Sequence, residues 1–177
     1  MTRPAAAIII LLLIGSAPLG AQRAWDLAGG YSYLHDPPDA IDFPAGWIAS
    51  ASVGLTPWLA AAADVSGHAA SELAIDFSTL AVLGGVRASA RIGRFTEFAQ
   101  FLAGPVRAKS TVVGITAIEH DAAVQPGGGV DYPLGSRWAA RVQFDFRQVF
   151  GGVDTPIADP RHQFRYSAAV VYHGWTR

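Results

Sequence analysis

Trp138-Ala139-Ala140-Arg141-Val142-Gln143-Phe144-Asp145-Phe146-Arg147 reads with a period of two. Trp138, Ala140, Val142, Phe144 and Phe146 share one face, and Ala139, Arg141, Gln143, Asp145 and Arg147 share the other. Successive side chains of an extended strand point to opposite faces, so this is a strand with one apolar and one polar side. The polar side carries Arg141, Asp145 and Arg147, whose charges alternate in sign. A soluble sheet also hides one apolar face, so this stretch alone leaves open which face meets what.

The rhythm recurs on both sides of it. Phe164, Tyr166, Ala168, Val170 and Tyr172 alternate with Gln163, Arg165, Ser167, Ala169 and Val171. Near the start, Trp25, Leu27, Gly29, Tyr31 and Tyr33 alternate with Asp26, Ala28, Gly30, Ser32 and Leu34. Leu59, Ala61, Ala63 and Val65 oppose Ala60, Ala62, Asp64 and Ser66, and Trp47, Ala49, Ala51 and Val53 oppose Ile48, Ser50, Ser52 and Gly54. Three weaker segments complete the set: 79–87, ending at Arg87; 97–107, with Pro105 inside it; and 122–132, with Gly127, Gly128 and Gly129. Proline within a strand predicts a bulge or an edge, so the inward face of 97–107 stays open. The total is eight candidate strands of about ten residues, the length a tilted strand needs to cross a bilayer.

The connections alternate in length. Thr56–Pro57, Ser89–Arg94 and Pro133–Ser136 are short; His35–Ala45, Gly67–Ser78, Ala108–Asp121 and Gln148–Arg161 are long. An up-and-down barrel with tight turns at one rim and long loops at the other has this order. A strand in hydrocarbon must pair every backbone N–H and C=O, and closing the sheet removes its edges. The fold class expected is therefore all-β: an eight-stranded antiparallel up-and-down transmembrane β-barrel, with the long loops extracellular and both termini periplasmic.

Eight strands enclose a space that side chains can fill. The inward polar set expected is Asp26, Asp64, Arg87, Gln125, Asp131, Arg141, Gln143, Asp145, Arg147, Gln163 and Arg165. Buried charges are costly unless paired. The set should form an interior network, with Asp64, Arg87, Asp131, Arg141, Gln143, Asp145, Arg147 and Arg165 as its members. Trp25, Trp47, Trp58, Trp138 and Trp175 fall near strand ends, where amphipathic indoles favour the two membrane interfaces. The single lysine, Lys109, is placed in a long loop.

Composition agrees. Charged residues make up only 15% of the 177 residues, against about 25% in soluble chains. The formal net charge of −1 offers no basic footprint for nucleic acid. The absence of cysteine removes disulfides and thiolate chemistry. Residues 1–21 read as a signal peptide: Arg3, an apolar run from Ala5 to Ile14, the breakers Gly15, Ser16 and Pro18, then cleavage after Ala21. The run is too short for a spanning helix, which needs about 20 apolar residues. Residues 22–177 form one barrel domain.

Six stretches resemble the small outer-membrane barrels of the outer membrane protein A-like, or porin-family, superfamily. They are Ala28-Gly29-Gly30-Tyr31-Ser32-Tyr33, Gly46-Trp47-Ile48-Ala49, Ala63-Asp64-Val65-Ser66-Gly67-His68, Gly127-Gly128-Gly129-Val130-Asp131, the 141–147 segment and Phe164-Arg165-Tyr166-Ser167-Ala168. The resemblance implies an eight-stranded barrel in the outer membrane of a Gram-negative cell, inserted by the barrel-assembly machinery. The chain ends Trp175-Thr176-Arg177 and not on the aromatic residue common in such chains.

No motif points to catalysis. His68, Ser71 and Glu72 are three polar residues in one expected loop, without a paired base and orienting group. His120, Asp121, His162 and His173 lack metal-ligand spacing, and the glycine triplet lacks the lysine and helix of a phosphate loop. Asp36, Asp39, Asp42, Glu72, Asp76, Glu119, Asp121, Asp154 and Asp159 make the long loops acidic, which fits a solvated surface. The first expectation is a monomeric, non-enzymatic outer-membrane barrel without cofactor, contacting membrane lipid and serving a structural, adhesive or surface-interaction role. A lipid A-modifying enzyme, a narrow pore and a soluble lipocalin-type barrel stand as alternatives.

Overall fold

A computed structural model describes residues 23–37, 41–72, 75–112, 115–151 and 161–176. The expected signal peptide at 1–21 lies outside them. Nine strands follow one another: β1 (Arg23–Asp36), β2 (Ile41–Phe43), β3 (Ala45–Gly54), β4 (Leu59–Glu72), β5 (Ile75–Ile92), β6 (Phe95–Val112), β7 (Ile115–Pro133), β8 (Trp138–Phe150) and β9 (Arg161–Thr176). Each barrel strand pairs antiparallel with its sequence neighbour, and β9 returns to β1, so the sheet closes. β2 continues β3 beyond Pro44. Between Leu34↔Phe43 and Tyr31↔Trp47, β1 has two residues where its partner has three, a bulge that also receives the Tyr31 hydroxyl on the Pro44 carbonyl. The barrel thus has eight staves.

The register fixes its dimensions. From Asp26, partners run through Ser52, Ala62, Gly85, Leu102 and Gln125. Gly127↔Asp145 and Val124↔Gln148 put Gln125 opposite Arg147, which leads to Gln163 and back to β1 at Asp36, ten residues beyond the start. Eight strands with a stagger of ten imply a tilt of about 40° and a radius of about 8 Å. Side chains fill such a cylinder.

The odd residues of β1, β3 and β4 face outward, as do the even residues of β5, β7, β8 and β9 and the odd residues of β6. Val142, Phe144, Tyr166 and Val170 are exposed on the outside, and Arg141, Gln143, Asp145 and Arg165 are buried inside. The period of two in 138–147 therefore separates outer wall from lumen.

The sequence-expected loops need correction. Gly67–Ser78 is not a loop: it pairs from Gly67↔Leu80 to Glu72↔Ile75 as the upper part of a β4–β5 hairpin. Ala108–Asp121 likewise pairs to Val112↔Ile115 in a β6–β7 hairpin, so Lys109 lies on a strand. Above the apolar band the outer face is no longer apolar while the inner face is polar, and the alternation that marks a strand fades. Most of the fourth long connection lies outside the described residues. At the opposite rim, Ile92 and Phe95 flank a two-residue turn whose Gly93 has φ of 62°, a left-handed backbone that suits glycine.

Pro105 also departs from expectation. It faces outward in an internal strand, and the β5–β6 register is the same on either side of it, with Ala81↔Val106 and Gly84↔Ala103. There is neither bulge nor edge. A ring that removes one donor from the ladder is tolerated there because its neighbours hold the register.

Candidate functional site

Among the described residues, chemistry-bearing side chains converge above all in the polar lumen. At the short-turn end Arg141 donates from Nε and Nη2 to both oxygens of Asp131, at 2.7 and 2.8 Å. Asp26 accepts from Ser52 at 2.5 Å and from Arg87 at 3.4 Å, and lies 3.8 Å from Arg141. Phe98 points inward between the two guanidinium groups, 4.6 Å from Arg87 and 4.7 Å from Arg141. Its ring faces offer partial negative charge to both cations.

Gln100 carries the network upward. Its Oε1 accepts from Arg87 at 3.2 and 3.0 Å, and its Nε2 donates to Asp145 at 3.0 Å. Asp145 also accepts from Gln143 at 2.8 Å. Arg165 is the centre: it donates to both oxygens of Asp64 at 2.8 and 2.9 Å, and twice to Asp145 Oδ2 at 3.0 and 2.8 Å. Planar forked donors suit a carboxylate in this way. Arg165 and Asp145 are fully buried. Glycine makes room for them: a Cβ at Gly127 would lie 1.9 Å from Asp145 Oδ1, and one at Gly129 would meet the Phe98 ring at 2.7 Å. That is the reason for the triplet's first and third members.

Above this layer the pattern changes. Arg147 donates to Gln125 Oε1 at 2.8 Å and to Ser66 Oγ at 3.0 Å. His68 Nε2 meets Ser32 at 2.9 Å, and Ser32 meets Ser167 at 3.2 Å. Gln163 donates to Asp36 at 2.7 Å, and Arg161 to Asp121 at 3.0 Å. A cavity of about 220 Å³ opens at this end, lined in part by Asp36, Thr79, Val106, Asp121, Val149 and Gln163. Along one side of the lumen, Ala62, Ala81, Leu83, Leu102, Val106, Ala123 and Val149 form an apolar wall.

Of the eight residues the sequence names for the interior, the structure brings Asp64, Arg87, Gln143, Asp145 and Arg165 into one chain of bonds through Gln100, and Arg141 with Asp131 into a second that touches it at Asp26. Arg147 lies inside but forms no ion pair among the described residues. Gln100 and Phe98 were missed, because 97–107 is apolar on both faces and its parity is ambiguous. His68, Asp36 and Asp121 are corrected from solvated loop to buried, inward positions. Ser71 is exposed and bonds Asp76 at 2.7 Å, away from His68's lumen position, so these two do not come together; the Glu72 side chain lies outside the described residues. Among the described residues no group of three or more His, Cys, Asp or Glu side chains is placed to hold a metal ion.

On the outer wall, Trp25 and Trp138 pack on Tyr172 with ring centres 5.7 and 4.9 Å away, and Phe95 packs on Tyr132 at 5.7 Å. Trp58 is exposed in the turn beside them. These rings form a belt at the short-turn rim. Trp47 is exposed on β3 toward the other end. The Trp175 side chain lies outside the described residues; its backbone pairs with Ala24.

The fold is that of small outer-membrane barrels. The chain is similar to Neisserial surface protein A, with a TM-score of 0.67 and 12% identity over 85% of this chain and 96% of that one. It is similar to Ail, the attachment invasion locus protein of Yersinia pestis, with a TM-score of 0.57 and 10% identity over 88% and 100%. The N-terminal β-barrel domain of Pseudomonas aeruginosa OprF gives a TM-score of 0.58 and 10% identity over 86% and 97%. No protein-family model matches the chain, and no curated protein matches it in sequence.

Proposed function

We propose that the chain is an integral outer-membrane barrel, sealed by its own lumen, whose projecting hairpins serve contacts at the cell surface. The observation that carries this reading is the division of the wall. Charge is confined to the lumen and the rims, while Leu27, Val53, Val82, Val86, Phe101, Val142, Phe144 and Val170 are exposed outside. On β6 the outward charges Glu97 and Arg107 stand ten residues apart with only Ala99, Phe101, Ala103 and Pro105 outward between them. At a tilt of about 40° that is about 25 Å along the axis, the height of the apolar band in outer-membrane barrels.

The proposed orientation puts the short turns and the β1 and β9 ends in the periplasm and the β4–β5 and β6–β7 hairpins outside. Membrane lipid is the partner of the wall, the barrel-assembly machinery the agent of insertion, and the monomer the working unit. The name of Ail refers to attachment and invasion; a surface-contact role here has its support in the two hairpins that rise beyond the band. Catalysis has no support in the geometry, and conduction has little, because Arg165 with Asp64 and Asp145 crosses the lumen at mid-height.

Cell fractionation with heat-modifiable gel mobility tests the reading. The expected result is an outer-membrane fraction in which unheated protein migrates faster than boiled protein. Recovery in the soluble periplasm would overturn it. A cysteine placed at Ser110, in a chain that has none, should react with an impermeant maleimide on intact cells; protection until lysis would reverse the orientation.

A further inference from the structure

Arg107 and Lys109 are the cations that the described upper wall turns outward. Both are exposed on β6, and neither side chain has an ion pair or hydrogen bond among the described residues. The other described cations are engaged or remote: Arg87, Arg141, Arg147 and Arg165 face the lumen, Arg161 binds Asp121, and Arg23, Arg91, Arg94 and Arg137 sit at the short-turn rim. Arg107 stands at the upper border of the apolar band, and Lys109 is two residues higher, on the same face.

A groove of about 470 Å³ lies beside them on the outer wall, between Trp47, Gly67, Leu80, Arg107 and Lys109. Trp47 lies flat over Gly67, where a Cβ would meet its indole at 2.6 Å. Below the groove Leu80, Val82 and Phe101 are exposed and run down into the band. The outward carboxylate of β5, Asp76, is further up the strand and accepts a hydrogen bond from Ser71 at 2.7 Å. His120 is the cross-strand neighbour of Arg107, and Ser78 that of Lys109.

We propose that this groove holds one lipid of the outer leaflet that carries a phosphate monoester. This rests on the membrane placement proposed above. The phosphate lies against the Arg107 guanidinium and the Lys109 ammonium, at the height where a headgroup sits when the band fills the hydrocarbon. Acyl chains follow Leu80, Val82 and Phe101. Two unpaired cations favour a dianionic headgroup over a zwitterionic one, and charge-assisted bonds to phosphate oxygens add direction. A basic residue near a membrane surface contributes about 1 kcal/mol, so the pair should select such a lipid by roughly 25-fold.

The experiment uses the barrel refolded in nanodiscs of phosphatidylcholine with a minor fraction of phosphatidic acid. The lipid kept through detergent dilution is measured by mass spectrometry. The wild-type barrel should retain phosphatidic acid well above its share of the bilayer. The R107Q/K109Q variant should lose that enrichment by roughly 25-fold, while R94Q/R137Q, changed at the other rim, keeps it. No enrichment on the wild-type barrel, or equal enrichment on both variants, overturns the proposal. Heat-modifiable mobility is read on the same samples: a barrel that inserts without selecting the lipid sinks only the lipid site, and one that never inserts sinks the membrane reading.

Discussion

From the short-turn rim to mid-height, Arg141 holds both oxygens of Asp131, and Arg165 holds Asp64 and Asp145. Above that level Arg147 rests on a neutral amide and a hydroxyl. His68 Nδ1, Thr79 Oγ1, Gln125 Nε2, Arg147 Nη1 and Gln163 Oε1 are buried in this upper part without a bonded partner. Orphan polar atoms lie in the lower part too, at Arg141 Nη1 and Gln143 Oε1. What separates the two levels is that Arg141 and Arg165 meet carboxylates, whereas Arg147 meets none among the described residues, and a cavity lined in part by Asp36, Thr79, Asp121 and Gln163 opens at the upper end. The difference teaches where the lumen depends on each charged member and where it tolerates change. A buried ion network is unforgiving of a missing member; a buried arginine whose removal strands no carboxylate is less so.

The largest effect should come from the middle of the network. Arg165→Leu leaves Asp64 and Asp145 facing each other in a closed space and should cost about 3–5 kcal/mol. Urea unfolding of the refolded barrel in micelles measures it. A cost below that of Arg147→Met would break the comparison.

Gly127→Val tests the same layer from the wall. Its side chain enters the space of the Asp145 carboxylate, and overpacking of this kind costs about 1–3 kcal/mol. The same substitution at Gly135, where a Cβ meets nothing within 4 Å, should leave the unfolding midpoint nearly unchanged.

Arg147→Met removes a charge that has no carboxylate to abandon. The cost should stay below about 1.5 kcal/mol, since a linear apolar side chain of similar length fills the position. Single-channel recording sharpens the contrast. The wild-type and Arg147→Met barrels should pass little current, and the D64A/R165A variant should pass more.

The smallest effect lies outside the band, where Asp42 of the β2 arm meets His35 Nδ1 at 2.6 Å. The His35 hydrogen bond, followed by one from Tyr33, holds the Asp42 carboxyl below its ordinary range. A lowered carboxylate pKa stabilises the folded arm at pH above the unfolded value, and the benefit is lost as pH falls through the lowered one. Acidification should therefore loosen the β1–β2 arm while the barrel's heat-modifiable mobility persists. Amide exchange at Leu34 and Phe43 against that at Val142 would show it. Loss of protection at all three together would contradict the separation.

How much of this could be read from the sequence follows from where a strand meets two different media. In 138–147 and 163–172 one face meets an apolar medium and the other a polar lumen, so alternation is strong and Arg141, Asp145 and Arg165 are legible as inward. In 67–78 and 108–121 the outer face has left the apolar band while the inner face is polar, so the pattern fades and strands read as loops; His68 and Asp121 were misplaced for that reason, as was Asp36 at the upper end of β1. In 97–107 both faces are apolar, because the lumen there carries Phe98, Leu102 and Val106. Only register assigns that strand, and Gln100, which links Arg87 to Asp145, is hidden with it. That Arg165 reaches the polar face of 141–147 follows from the adjacency of the last two strands; the remaining arginine pairings depend on a stagger that no single strand encodes.

Site-directed spin labelling of the reconstituted barrel tests the central claim most directly. Single cysteines at Ala140, Val142 and Phe144 face out, and at Ala139, Gln143 and Val149 face in. In a bilayer the first three labels should collide freely with dissolved oxygen and hardly with a water-soluble nickel chelate, while the second three meet neither readily. Free collision of the chelate with labels at Val142 and Phe144 would show that this face meets water, and the account would fail.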